Sequence, residues 1–542
     1  MIDIDDTSTI WSAFEAAAAR WPGRPFVAAP ANPARDYHPG GVEFTYAQAA
    51  AEVARLRALY TQAGYGAGHR VALMLDSRPE HFLHKLALGA IGACIVPVNP
   101  DYRAGEIAYL VDHSKADLVV ALGARRAQLD SGLAQAARKP PVEIFEELGR
   151  GLARAREPRR AQAPAAATPA SILYTSGTTG RPKGCILSHH YEICSGHWYA
   201  TRGGLAAMRD GEDRLYNPLP LYHVNASVTS FLAMMVRGGC QIQADRFQPT
   251  RWWPEVIGSR ASIVHYLGVI APMLLNQPPA AQDRAHGVRF GAGAGVEPQL
   301  HAVFEARFGF PLVELWGMTE MVRVLIDNGP QRQVGTRAFG RAVPGLDARV
   351  VDEHDTELPD GTPGELVVRH DAERPRHGAF SGYLDDDAAT EAAWRGGWFH
   401  TGDTVVRAPD GMFHFVDRKK NIIRRSGENI AAAEVEALLQ AHDAVAQVAV
   451  LAAPDEIREE EVLACVVPAE GSTGDAALAR TLFDWCNERL AYYKAPGWVW
   501  FTDKLPTTGT QKIQKHQIFP AGTDPRTLPG MHDLRGLKKR SR

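Results

Sequence analysis

Between residues 44 and 122 the chain repeats one unit, a helical stretch followed by a short apolar run. Residues 44–63 carry apolar side chains at helical spacing, with Thr45 set to cap the helix. The runs Val71-Ala72-Leu73-Met74-Leu75, Cys94-Ile95-Val96-Pro97-Val98 and Leu118-Val119-Val120-Ala121-Leu122 do not alternate polar with apolar, and residues 82–91 between the first two read as a helix. A strand with no polar face has to be covered on both sides, which parallel β-α-β units with helical crossovers achieve. The expected fold class is therefore α/β with parallel sheets.

A chain of 542 residues is too long for one ordinary core. The rhythm restarts after Asp417-Arg418-Lys419-Lys420-Asn421: a helix over 434–440, strands over 445–452 and 462–467, and a helix over 478–490. That pattern predicts a small α+β domain of roughly 120 residues. We divide the chain into a large domain, 1–419, and a small one, 420–542. Residues 157–170, rich in Ala, Pro and Arg, read as a surface linker.

Charge narrows the class further. Lys and Arg number 59 against 62 Asp and Glu, a net charge of −3, and nothing in this balance suggests nucleic-acid binding. The six cysteines show no paired spacing, so reduced thiols are expected rather than a disulfide framework. The first residues lack a secretory pattern and no apolar run reaches membrane-spanning length. The expectation is a cytoplasmic enzyme without stable membrane insertion; homodimer formation stays open.

The chemistry begins at residue 175. Ser171-Ile172-Leu173-Tyr174 reads as a strand running into Thr175-Ser176-Gly177-Thr178-Thr179-Gly180-Arg181-Pro182-Lys183-Gly184. Glycines let the backbone approach phosphate oxygens, hydroxyls and N–H groups donate to them, and Lys183 adds charge. The spacing is not the G-x-x-x-x-G-K-[ST] of a P-loop. This loop resembles the phosphate-binding motif of the adenylate-forming superfamily, which includes acyl-CoA synthetases, peptide-synthetase adenylation domains and beetle luciferases.

The resemblance extends from about residue 10 to 520 and implies roles residue by residue. In Trp316-Gly317-Met318-Thr319-Glu320, Thr319 is expected on the α-phosphate and Glu320, with Thr175, on Mg²⁺. Gly293, Ala294 and Gly295, within Gly291-Ala292-Gly293-Ala294-Gly295-Val296, resemble the small-residue turn that packs on adenine. Asp403, in Gly397-Trp398-Phe399-His400-Thr401-Gly402-Asp403, is expected to accept from both ribose hydroxyls. Arg418 is expected to reach ribose or phosphate, and Lys420 stands at the hinge position. Asn421 replaces the aspartate usual there.

Ser426, Gly427 and Glu428 resemble the start of the strand that enters the active site for thioester formation. His223, in Pro220-Leu221-Tyr222-His223, is expected to line the acyl or adenylate site. Lys512, in Leu505-Pro506-Thr507-Thr508-Gly509-Thr510-Gln511-Lys512, aligns with the catalytic lysine, Lys515 being the competing choice and Gln511 standing where the family has glycine. His189, His190 and His197 fit no metal spacing.

The resemblance implies a large α/β domain that binds ATP and the acid and includes a β-barrel-like subdomain, with a mobile C-terminal domain. The expected reaction is ATP-dependent ligation of a small-molecule carboxylic acid to coenzyme A, with Mg²⁺, through an acyl-adenylate. No carrier domain is present after the small domain in this sequence, which favours the ligase over a stand-alone adenylation enzyme that loads a carrier protein. The look is nearest to carnitine-type and short- or medium-chain acyl-CoA ligases, with residues 222–226 and 318–322 expected on the acyl side. Arg323 is read either as a contact to a second polar group of the acid or as an ordinary ion pair or loop contact.

Overall fold

In the computed structural model, residues 1–175, 181–268, 270–418, 422–506, 513–520 and 522–540 are described, with residues 322, 417, 418, 433 and 516 described by backbone alone. The all-apolar runs form a parallel sheet. Arg70–Met74 lies between Cys94–Pro97 and Leu118–Ala121, with Val71 opposite both Ile95 and Leu118. Helix Tyr46–Gln62 starts where its sequence dictates. The Thr45 side chain accepts from the Gln48 N–H at 3.2 Å, and the Gln48 side chain accepts from the Thr45 N–H at 2.9 Å. Two N–H groups that the helix leaves unpaired are thereby satisfied.

This sheet has seven strands, ordered Gly382–Tyr383, Lys183–Ser188, Pro169–Thr175, Cys94–Pro97, Arg70–Met74, Leu118–Ala121 and Val142–Ile144. Pro169–Thr175 runs parallel to Cys94–Pro97, but Lys183–Ser188 returns antiparallel beside it. Their register brings Thr175 opposite Lys183. Helix His189–Ala200 comes next, the Ser188 side chain accepting from the Tyr191 N–H at 3.1 Å.

A second sheet has eight strands. Its order is Met321–Ile326, Leu312–Met318, Phe290–Ala294, Ile263–Leu267, Arg214–Asn217, Cys240–Gln243, Pro25–Ala29 and Val42–Thr45, parallel except at its two ends. One buried apolar cluster runs through both sheets and the helices between them. The subdomain expected to be barrel-like is a five-stranded antiparallel sheet of Ala338–Gly340, Phe413–Arg418, Phe399–Arg407, Gly364–Arg369 and Asp347–Val351.

Beyond residue 421 a separate sheet forms from Glu428–Ala431, Ile422–Arg425, Glu459–Pro468, Trp498–Phe501 and Met531–Asp533, with Val445–Asp455 beside Glu459–Pro468. It packs helices Ala432–Gln440 and Ala476–Arg489 over its own cluster, centred on Ile430, Val435, Val450, Val462 and Phe483. The expected surface linker is pinned down rather than free: Arg159 N–H bonds Gly64 O at 2.9 Å, and Arg160 O accepts from Ala67 N–H at 3.0 Å.

Candidate active site

Ligands of open α/β sheets bind where parallel strands present their carboxyl ends. Here Ile263–Leu267, Phe290–Ala294 and Leu312–Met318 end side by side, and Leu267, Ala294 and Met318 all line a cavity of about 610 Å³. Thr175, at the end of Pro169–Thr175, and Lys183 face it from the other sheet. Ser176, Gly177, Thr178, Thr179 and Gly180 lie outside the described residues. The Lys183 ammonium stands 3.4 Å from Asp386 and 4.8 Å above the Tyr383 ring.

The turn expected beneath adenine is built by close approach. A Cβ on Gly293 would lie 2.2 Å from Tyr266 O, so only glycine fits. Glu314 holds the turn: it accepts from the Gly295 N–H at 2.9 Å and from the Tyr266 hydroxyl at 2.6 Å. Burial raises the Glu314 pKa against the lowering effect of these bonds. Sequence reasoning passed over Glu314; the available signal was an acid inside the otherwise apolar strand Leu312–Met318.

Trp316, two residues on, donates its indole N–H to Asp403 at 2.8 Å, and both are buried. Asp403 stands opposite Arg418 in neighbouring antiparallel strands. Gly317, Met318, Thr319 and Glu320 continue the cavity wall. The Tyr191 hydroxyl fixes the Thr319 carbonyl at 2.6 Å, and the Tyr383 hydroxyl donates to Glu320 at 2.8 Å. Burial, then the charge of Glu320, raise the Tyr383 pKa, so Tyr383 remains a hydrogen-bond donor to that carboxylate.

The small domain closes the cavity with its first hairpin, Ile422–Arg425 to Glu428–Ala431. Ser426 at φ 51° and Gly427 at φ 87° make the turn. A Cβ on Gly427 would sit 2.4 Å from Leu267 Cδ1. Gly427 and Asn429 line the cavity, whereas Glu428 turns to the large domain. It accepts from the Tyr222 hydroxyl at 2.7 Å and lies 3.3 Å from His223 Nε2. Burial raises the Glu428 pKa, but the His223 charge and the two hydrogen bonds outweigh it and the net shift is downward.

A second contact between the domains is ionic. Lys494 reaches Glu106 of helix Ala104–Ser114 at 2.5 Å and Glu434 of its own domain at 2.9 Å, all three buried or nearly so. Burial opposes the Lys494 charge, yet the two carboxylates prevail and raise its pKa. Arg540 to Asp101 at 2.7 Å and Asn99 to Tyr493 at 3.0 Å extend this contact. Sequence alone carries no signal for these contacts, because the pairing depends on how two separately folded units meet.

Lys512 lies outside the described residues. Among the described residues, none after Glu460 lines the cavity. Ile513 packs with Leu463, Trp498 and Leu505, and Lys515 pairs with Glu436 at 2.6 Å. Arg323 turns away from the cavity; it donates to Gly345 O at 2.9 Å and lies 5.7 Å from the Trp198 ring, an ordinary loop contact. Of the three histidines considered from sequence, His190 alone converges with other ligand types, Asp6 and His377, and Asp6 is already paired with Arg374 at 3.0 Å. Five of the six cysteines are buried, and none forms a disulfide.

Comparison with known proteins matches residues 14–384 to the AMP-binding enzyme family and residues 434–512 to the AMP-binding enzyme C-terminal domain. The sulfoacetate–CoA ligase of Cupriavidus necator is 30% identical over 93% of this chain and 96% of its own. A crotonobetaine/carnitine–CoA ligase of Escherichia coli O157:H7 is 30% identical over 88% of this chain and 94% of its own. Among solved structures, o-succinylbenzoate CoA synthetase from Bacillus subtilis, bound with a product analogue, superposes with a TM-score of 0.81 at 21% identity, covering 94% of this chain and 98% of that one.

Proposed function

We infer, from the premise that this chain belongs to the AMP-binding enzyme family, how its residues divide the two half-reactions of an AMP-forming acyl-CoA synthetase. The enzyme uses ATP to join a carboxylic acid to coenzyme A. In the first half-reaction a carboxylate oxygen attacks the α-phosphorus, the bond to the β-phosphate oxygen breaks, and pyrophosphate leaves. In the second the thiol sulfur attacks the acyl carbon, AMP leaves with the oxygen that joined them, and the thiol proton passes to solvent or a base.

The observation that carries the assignment is convergence. Residues 175, 183, 293–295, 316–320 and 403, scattered over more than 200 positions of sequence, line or border one cavity at the strand ends. In our reading Gly293, Ala294 and Gly295 receive adenine, Asp403 and Arg418 the ribose, and residues 175–180, Lys183 and Thr319 the phosphates. The oxygen donors Glu320 and Thr175 on this wall fit Mg²⁺, a hard cation. They would hold it, and it would neutralise charge building on the phosphates. The cavity has to take the adenylate as well, which leaves room for a short or medium acyl group. The cytoplasm is its proposed compartment.

The docked hairpin bears on the second half-reaction. Gly427 and Asn429 lie in the cavity wall while, among the described residues nearest Lys512, 505–506 and 513–515 do not, so this arrangement is the one we assign to thioester formation. For adenylation the small domain turns near Lys420, and Lys512 then approaches the carboxylate and α-phosphate, offsetting their repulsion. Residues 1–419 and 420–542 are the two moving units.

The test is enzyme with ATP, Mg²⁺ and a panel of short, branched, aromatic and dicarboxylic acids, with and without coenzyme A. Acyl-CoA and AMP are expected for one acid class, and pyrophosphate release without thioester under every coenzyme A condition would contradict the reading. Lys512→Ala is expected to cripple adenylate formation and spare thioester formation from supplied acyl-adenylate. Full activity in that variant, with loss in Lys515→Ala, would move the role to Lys515.

A further inference from the structure

Asn225 opens a π-helical segment, Asn225–Ser230, and lines the cavity together with Thr229. Such segments recur at functional sites because the widened turn re-aims side chains. The direction of the Asn225 amide is fixed by a chain of donors. The Leu219 backbone N–H, which can only donate, bonds Asn217 Oδ1 at 2.9 Å. The other end of Asn217 is therefore its NH₂, which donates to Asn225 Oδ1 at 3.0 Å and to Ser230 at 2.9 Å.

His265 Nδ1 lies 2.7 Å from that same Asn225 oxygen. It must carry a hydrogen there, so Nε2 accepts from the Tyr199 hydroxyl at 3.0 Å. Burial pushes the His265 pKa down to about 3, which keeps the ring neutral. Both lone pairs of Asn225 Oδ1 are thus occupied, and its NH₂ is left to face the cavity. Among the described residues neither this nitrogen nor the Thr229 hydroxyl has a side-chain hydrogen bond, and neither is sealed away as a buried orphan.

We propose that Asn225 and Thr229 form an acyl-side subsite for an uncharged oxygen acceptor on the acid: a hydroxyl, keto, ether or amide oxygen beyond the reacting carboxylate. This rests on the ligase reading above and narrows its substrate class. A purely hydrocarbon acid would cover two donors and leave them unpaired, which is costly. An anionic group would lose hydration without gaining a counter-charge from the side chains that fix this subsite, because Asn217, Asn225, Thr229, Ser230, Tyr199 and neutral His265 are all uncharged, and His223 on the same wall already faces Glu428 at 3.3 Å.

The experiment compares kcat/KM for acyl-CoA formation within matched acids that differ only by CH₂ to C=O, or CH₃ to OH, at successive carbons, with dicarboxylates of equal length as a third arm. One oxygenated position is expected to be preferred about tenfold or more over its hydrocarbon match. Asn225→Leu is expected to erase most of that preference. Because both acids meet the same enzyme sample, the ratio does not depend on how much of the variant folds. Equal efficiency in every pair, or a preference that survives in Asn225→Leu combined with Thr229→Val, would overturn the inference and leave the ligase reading standing. Preference for the dicarboxylates would overturn the uncharged acceptor. If no acid yields pyrophosphate, the ligase reading falls and the inference with it.

Discussion

Replacing Lys494 by methionine separates the two half-reactions. In the docked arrangement the lysine is shared by Glu106 and Glu434, whose side chains are 9% and 10% exposed. Methionine keeps most of the volume and removes the charge, so docking then buries two carboxylates side by side. Removing one member of a buried ionic group costs about 3–5 kcal/mol. When the small domain swings away, Glu106 returns to solvent, so the cost falls on the docked state. Taking about 3 kcal/mol, the docked population drops on the order of 100-fold at 1.4 kcal/mol per decade.

The assay follows each step alone: pyrophosphate release from ATP and acid, and acyl-CoA formation from supplied acyl-adenylate. The second is expected to fall by about that factor while the first stays within about threefold. The sign with pH comes from Glu106. Burial raises its pKa, Lys494 lowers it and Glu434 raises it again, for a net upward shift. Without the lysine the opposing influence is gone, so docking takes up a proton and weakens as pH rises through the docked pKa. The thioester defect therefore grows as pH rises above the ordinary carboxylate range. A normal thioester step in Lys494→Met, or equal loss of both steps, would refute this reasoning.

Three further outcomes are expected. Gly427→Ala, at φ 87° and with its new methyl 2.4 Å from Leu267 Cδ1, should cut thioester formation at least tenfold in the supplied-adenylate assay and spare pyrophosphate release; a normal rate would show that the hairpin does not dock this way. Trp316→Phe removes the N–H bonded to buried Asp403, a loss of about 1–3 kcal/mol that should raise the KM for ATP roughly tenfold, and an unchanged KM would detach Asp403 from the nucleotide. Lys538 shares Glu461 with Arg425 and is fully buried; burial, the leading cause, brings its pKa down to about 7. Between pH 7 and the unfolded lysine value the unfolded chain holds the extra proton, so stability rises with pH there; the Tm of the parent relative to Lys538→Met should increase from pH 7 to 9, and a decrease would contradict the assignment.

Sequence reasoning reached the layers of this fold because apolar runs such as Val71-Ala72-Leu73-Met74-Leu75 leave few alternatives to a doubly covered parallel strand. It reached Trp316, Glu320 and Asp403 because their neighbours form long, specific motifs. It did not see that Pro169–Thr175 and Lys183–Ser188 pair antiparallel, since strand direction is set by partners rather than by local pattern. Nor did it see the Asn217, Asn225, His265 and Tyr199 chain, whose members are ordinary polar residues until the fold brings them within hydrogen-bond distance. Lys494 belongs to the same class: a lysine in Tyr492-Tyr493-Lys494-Ala495 carries no signal until Glu106 stands opposite. Glu428 and His223 were each legible as part of a motif, but the pairing of Glu428 with Tyr222 and His223 was not.

The acyl-adenylate itself is tested most directly by oxygen transfer. An accepted acid labelled with ¹⁸O in both carboxyl oxygens is converted completely to its coenzyme A thioester, and the nucleotide and phosphate products are examined by mass spectrometry. Attack of the carboxylate on the α-phosphorus and then thiol displacement predict AMP carrying one ¹⁸O and unlabelled pyrophosphate. Formation of ADP with the label in inorganic phosphate would contradict the account.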